Sequence, residues 1–144
     1  DVSTFKTNLE RFMKSEVAWD VCIVGGNNGP PFDRVSDFCI RTFNCQTTTG
    51  YIVKKAFYDT MIANFRESAT NLIKDPTQKR LYALDVYWKR LQRSGRWYMI
   101  TPVTVIQLEG YSDIEQRNLD YSGLMMDLEK KWLMQFTKNN PVTH

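Results

Sequence analysis

The chain has 144 residues, 42% hydrophobic and 24% charged, with a formal net charge of +3. That length and apolar content predict one globular domain over 1–144 and exclude a disordered chain. No run approaches the roughly 18 apolar residues a membrane-crossing helix needs, and the opening Asp1-Val2-Ser3 lacks the basic-then-apolar order of a secretory leader.

Val2, Phe5, Leu9 and Phe12 step by helical intervals, which predicts a helix over 3–15 with Ser3 or Thr4 as its cap. The short apolar run 17–24 fits either a strand or a buried helical turn. Gly25-Gly26-Asn27-Asn28-Gly29-Pro30-Pro31 then reads as a loop. Phe32, Val35, Phe38, Cys39 and Phe43 return to helical spacing behind the prolines, and Thr47 to Gly50 break it. Val53, Phe57, Met61, Phe65, Ala69 and Leu72 recur at nearly every fourth position and predict a helix over 51–73.

Asp75-Pro76 is a helix start, and Gly95 is a stop. Between them Leu81, Leu84, Trp88 and Leu91 form an apolar stripe, so a helix is expected over 76–94. Residues 96–100 have strand propensity, and Thr101-Pro102 suits the start of a short helix at 102–109. Ser112 and Glu115 match a capping box, followed by Tyr121, Leu124, Met125, Leu128, Trp132 and Phe136, which predicts a helix over 113–138. The expected fold is mainly α: a single-domain bundle of five or six helices with at most two short extended segments. The alternative is an α+β domain with strands at 17–24 and 96–106.

The residues offer little catalytic chemistry. The one histidine, His144, is the last residue, so no general base is at hand for Ser-His-Asp or Cys-His catalysis. Cys22, Cys39 and Cys45 have no CxxC spacing, and no cofactor or metal is expected. Three thiols and no Asn-x-Ser/Thr acceptor point to an intracellular location, cytoplasmic or nuclear. The glycine-rich loop matches neither GxxxxGK[ST] nor GxGxxG. No motif is specific enough to place the chain in a family.

The strongest functional signal is charge. Residues 79–96 hold six basic residues and one acid, Asp85, for which an ion pair with Lys89 is expected. On a helix of about 100° per residue, Lys79, Lys89, Arg90 and Arg93 share a face with Tyr82, opposite the leucine stripe, and Arg96 and Trp97 extend it. Cations neutralise phosphates and aromatics stack on bases. The expected anion-binding residues are therefore Lys79, Tyr82, Lys89, Arg90, Arg93, Arg96 and Trp97. The expected function is a non-catalytic helical module that binds an acidic macromolecule, RNA or nucleoprotein ahead of an acidic protein surface. One alternative is a self-assembling structural, coat or scaffold subunit, a homo-oligomer motivated by Trp97, Tyr98, Met99, Met125 and Met126. The other is an enzyme using Asp33, Asp37 or Cys39 near the 25–31 loop.

Overall fold

A computed structural model describes residues 1–113 and 115–131, and its centre is a sheet rather than a helix bundle. The expected mainly-α class is overturned: the protein is α+β. Five strands, β1 (Val21–Asn28), β2 (Phe32–Arg34), β3 (Cys39–Thr42), β4 (Cys45–Val53) and β5 (Trp97–Ile100), lie in the order β2-β3-β5-β1-β4. β1 runs parallel to β5, with Val21 opposite Trp97, and antiparallel to β4, with Val21 opposite Val53. β3 is antiparallel to both β5 and β2. The α+β alternative named the right class. Its two strands do meet, shifted to 21–28 and 97–100.

Each face of the sheet carries a core. Val21, Ile23, Ile40, Trp97 and Met99 point to one side, where Met61, Trp88 and Leu91 cover them. Cys22, Cys39 and Ile100 point to the other, against Phe12 and Trp19. A strand buried on both faces is apolar at every position, so it lacks the alternation that marks a strand in sequence. That is why 21–24 and 97–100 were ambiguous. Pro102 does not interrupt β5, because the strand ends at Ile100.

Helix α1 (Val2–Lys14) forms as its spacing predicts, but Asp1 is the cap: its Oδ1 accepts from the amides of Ser3 and Thr4 at 3.0 and 3.3 Å. The helical spacing from Phe32 to Phe43 is instead the β2–β3 hairpin. Ser36 organises its turn, with its Oγ accepting from the amides of Phe38 and Cys39. The first residues of the expected 51–73 helix belong to β4, and α2 spans Tyr58–Lys74 after a 3-10 turn at Lys55–Phe57.

The expected helix over 76–94 is four pieces. Asp75 caps a 3-10 turn at Pro76–Gln78 through the Thr77 amide, as Asp-Pro suggests. Then α3 (Lys79–Tyr82), α4 (Leu84–Tyr87) and α5 (Lys89–Ser94) follow, with a break at Ala83, whose ψ is 139°. The Tyr82 carbonyl, which a continuous helix would use internally, accepts from Ser68 Oγ of α2 at 2.6 Å. Leu81 and Leu84 consequently lie exposed, while Trp88 and Leu91 are buried. Gly95 does stop the last piece.

Residues 102–109 are not helical; the β-branched run Val103 to Ile106 favours extended backbone, and Val103 packs on the α2-side core. The capping bond at Ser112 exists, since its Oγ accepts from the Glu115 amide at 3.2 Å, but it closes a hairpin of β6 (Gly110–Ser112) and β7 (Arg117–Leu119). Among the described residues of the expected 113–138 helix, α6 (Ser122–Met126) and Lys131 are helical; residues 114 and 132–138 lie outside the described residues. Among the described residues no helix is long and apolar enough to cross a membrane.

Candidate functional site

The glycine-rich stretch is mostly strand. Residues 25–28 extend β1 through two register shifts, and a Cβ at Gly26 would lie 2.7 Å from Cys45 Sγ, so only glycine lets β1 close on β4 there. Across from it, Cys45 is clamped by the segment that follows α4. Wholly buried Gln92 accepts from the Cys45 amide at 2.9 Å and donates to its carbonyl at 2.7 Å, while Thr42 Oγ1 donates to Gln92 Oε1 at 3.1 Å. Trp88 Nε1 donates to the same carbonyl at 2.9 Å. This clamp fixes the next residue, Gln46, whose Oε1 accepts from Lys89 Nζ at 2.7 Å.

Gln46 and Lys89 line an open cleft of about 330 Å³, with Asn27, Gly29, Asn44 and Lys130 around it. Lys130 arrives from the segment after α6. Its ammonium donates to the carbonyls of Leu124 and Asp127 at 2.7 and 2.8 Å. Gly29 lies beside its stem: a Cβ there would crowd Asn44 Nδ2 at 3.2 Å and meet Lys130 Cγ at an ordinary 3.7 Å. Among the described residues neither ammonium forms an ion pair. Burial pushes the pKa of both lysines down. Arg93 adds to the effect on Lys89, while Asp85 opposes it there and Asp127 opposes it at Lys130. Both ammoniums act on the buried Cys45 thiol, whose pKa burial nonetheless pushes up to about 12. The adjoining end of β1 is polar beyond what the fold uses: Asn27 Oδ1 and both ends of the Asn28 amide are buried without a partner among the described residues.

The residues nominated by the basic run do not share one face. Lys89 enters the cleft, with Arg93 close by. Lys79 and Arg93 are exposed and unpaired among the described residues, as is Arg80. Arg90 pairs with Glu67 at 3.3 Å and donates to the Tyr87 hydroxyl. Arg96 grips Asp20 with its backbone amide and guanidinium, the closest approach being 2.7 Å. Tyr82 packs on Tyr87, and Trp97 is wholly buried, edge-on to Trp88. Trp97 is therefore closed to stacking. The expected Asp85–Lys89 ion pair is absent; Asp85 accepts from the Thr47 amide at 2.9 Å instead.

The residues behind the other two readings are also dispersed. Asp37 is held by Arg11 at 2.8 Å, Asp33 is exposed on the edge strand β2, and Cys39 is buried with its thiol pushed up by burial. Among the described residues no group of three or more His, Cys, Asp or Glu side chains is placed to hold a metal. Trp97, Met99 and Met125 are core residues, Tyr98 is half-buried, and Met126 alone of that set is exposed.

Lys130 and the amides Asn27, Asn44 and Gln46 escaped the sequence reading. The sequence neighbours of Lys130 predict the interior of a helix over 113–138, not a cleft. The amides carry a signal of their own: Asn27 and Asn28 lie within the stretch that glycine and proline mark, and Asn44 and Gln46 follow it. No family model, no curated protein and no solved structure matches this chain.

Proposed function

We propose that the protein is a non-catalytic module that binds an anionic macromolecule, RNA, by its phosphates, and that the Lys89–Lys130 cleft is the principal contact. One observation carries this reading: two half-buried lysines line one open cleft, their ammoniums held by neutral oxygens rather than carboxylates. An ammonium held by amide and carbonyl oxygens keeps its full charge for a ligand. Arg93, Lys79 and Arg80 extend the positive surface along the segment that carries Lys89. The reading differs from a stacking platform, since Trp97 is wholly buried and half-buried Tyr82 packs on Tyr87.

The test is single-stranded RNA binding by fluorescence anisotropy across salt. Contacts from Lys89, Lys130 and Arg93 to three phosphates give a fall in affinity of about ten- to twentyfold between about 50 and 200 mM salt. The double substitution Lys89→Met with Lys130→Met flattens that slope. Affinity that does not change with salt overturns the reading.

A further inference from the structure

We propose that the outer edge of β4 is an interface with a second copy of this chain. The two edges pair antiparallel across a twofold axis at Ile52, which joins the five-stranded sheets of both copies into one. The proposal goes beyond the RNA reading and does not depend on it.

The sheet has two edges, β2 and β4, and the fold treats them differently. β2 is three residues long and carries Asp33 and Arg34, both exposed. Short, charged strands keep an edge single. β4 has nine residues, and from Cys45 to Val53 it holds neither a charge nor a proline. Its first part is closed by side chains: Gln92 holds the amide and carbonyl of Cys45, and Asp85 holds the amide of Thr47. Among the described residues no side chain bonds to the backbone from Thr48 to Val53.

The ladder decides which groups face out there. The Lys54 amide donates to the Asp20 carbonyl at 2.9 Å, and Ile52 lies opposite Cys22. Backbone groups alternate sides along a strand, so Lys54 and Ile52 turn theirs to β1 while Tyr51 and Val53 turn theirs outward. The side chains of Tyr51 and Val53 pack on the α2-side core, and the Tyr51 ring stands edge-on to Trp88 at 5.3 Å. Two neighbouring outward residues are thus held extended, with their amides and carbonyls open to a further strand.

A second copy supplies by symmetry what this edge requires. An axis at Ile52 sets Tyr51 opposite the partner's Val53, and Val53 opposite the partner's Tyr51. Each pair exchanges both of its hydrogen bonds, about four in all. Ile52 then meets the partner's Ile52 in a non-hydrogen-bonded pair, where side chains come closest. It is 37% exposed in the single chain, so the pairing covers an apolar side chain that the fold leaves in water. Lys54 comes opposite the partner's Gly50, which brings neither charge nor bulk. The contact is short and buries well under the roughly 1,200 Å² of a standard interface, so the dimer is transient and forms at high concentration.

The experiment is sedimentation equilibrium of the full chain from about 10 µM to about 1 mM, which reads a monomer–dimer equilibrium. Ile52→Lys and Ile52→Glu each set like charges against one another across the axis and raise the dissociation constant about tenfold or more. Urea midpoints confirm that both variants fold, as the exposure of Ile52 allows. An equal mixture of the two variants regains dimer, now as a heterodimer with opposite charges facing. Dimerisation that neither variant weakens overturns the proposal, and so does a mixture that associates no better than either variant alone. A strict monomer up to about 1 mM overturns it as well and leaves the edge to an extended strand from another protein.

Discussion

Lys89 and Arg96 belong to the same basic run, yet the fold treats them in opposite ways. Arg96 meets a carboxylate, and Asp20, mostly buried, answers with both oxygens. The charge is consumed within the structure, tying the start of β5 to the residue before β1. Lys89 meets an amide oxygen, and Lys130 meets two carbonyls. Neither forms an ion pair among the described residues, though Asp85 and Asp127 each offset part of the charge, and both residues line one cleft. A basic residue is thus spent as a structural strut or left with its charge available according to whether its partner is an anion or a dipole.

Removing the platform beneath the cleft has the largest expected effect. Gln92→Ala strands the buried amide and carbonyl of Cys45 and the Thr42 hydroxyl, costing about 3 kcal/mol or more in urea unfolding. Binding falls with it. Next comes the strut. Asp20→Ala lowers stability by about 1–2 kcal/mol, held down by the exposure of Arg96, and leaves RNA affinity unchanged. Its hydrogen bonds to Arg96 hold the Asp20 pKa below the ordinary 3.8. The contribution is therefore complete above that pH and is lost as pH falls through the lowered folded value; acid unfolding of the wild type and of Asp20→Asn checks it.

Lys89→Met inverts the pattern. Stability stays within about 1 kcal/mol of wild type, because the charge removed is partly desolvated and half exposed, while RNA affinity drops about tenfold. The folded pKa of Lys89 lies below the ordinary 10.5, so its destabilising effect is present at neutral pH and is relieved as pH rises through the folded value toward 10.5. Any stability advantage of the methionine variant shrinks over that alkaline range in urea titrations. The smallest effect belongs to Arg90, which is exposed and paired with exposed Glu67: Arg90→Ala changes neither unfolding midpoint nor RNA affinity measurably.

Local signals in the sequence were read correctly where the structure they specify is local. The Val2–Phe12 stripe makes a helix, Asp75-Pro76 starts a helical turn, and Gly95 ends one. Strands β1, β3 and β5 are not legible because burial on both faces removes their alternation, and the Phe32–Phe43 spacing imitates a helix. The Ser112–Glu115 pair shows the limit: its hydrogen bond forms, but the same bond also closes a hairpin turn. Of the candidate site, Lys89 and Arg93 were visible as charge. Lys130 was not, because its place beside Gly29 depends on a chain path that no local pattern encodes.

The Trp88 indole, bonded to the carbonyl next to Gln46 and edge-on to Trp97 at 5.3 Å between ring centres, gives the protein an internal optical gauge. Anything that enters beside Lys89 and tugs on Gln46 perturbs the field around that ring pair. Intrinsic ultraviolet emission therefore reports occupancy without a dye, and its titration curve supplies a dissociation constant independent of any labelled strand.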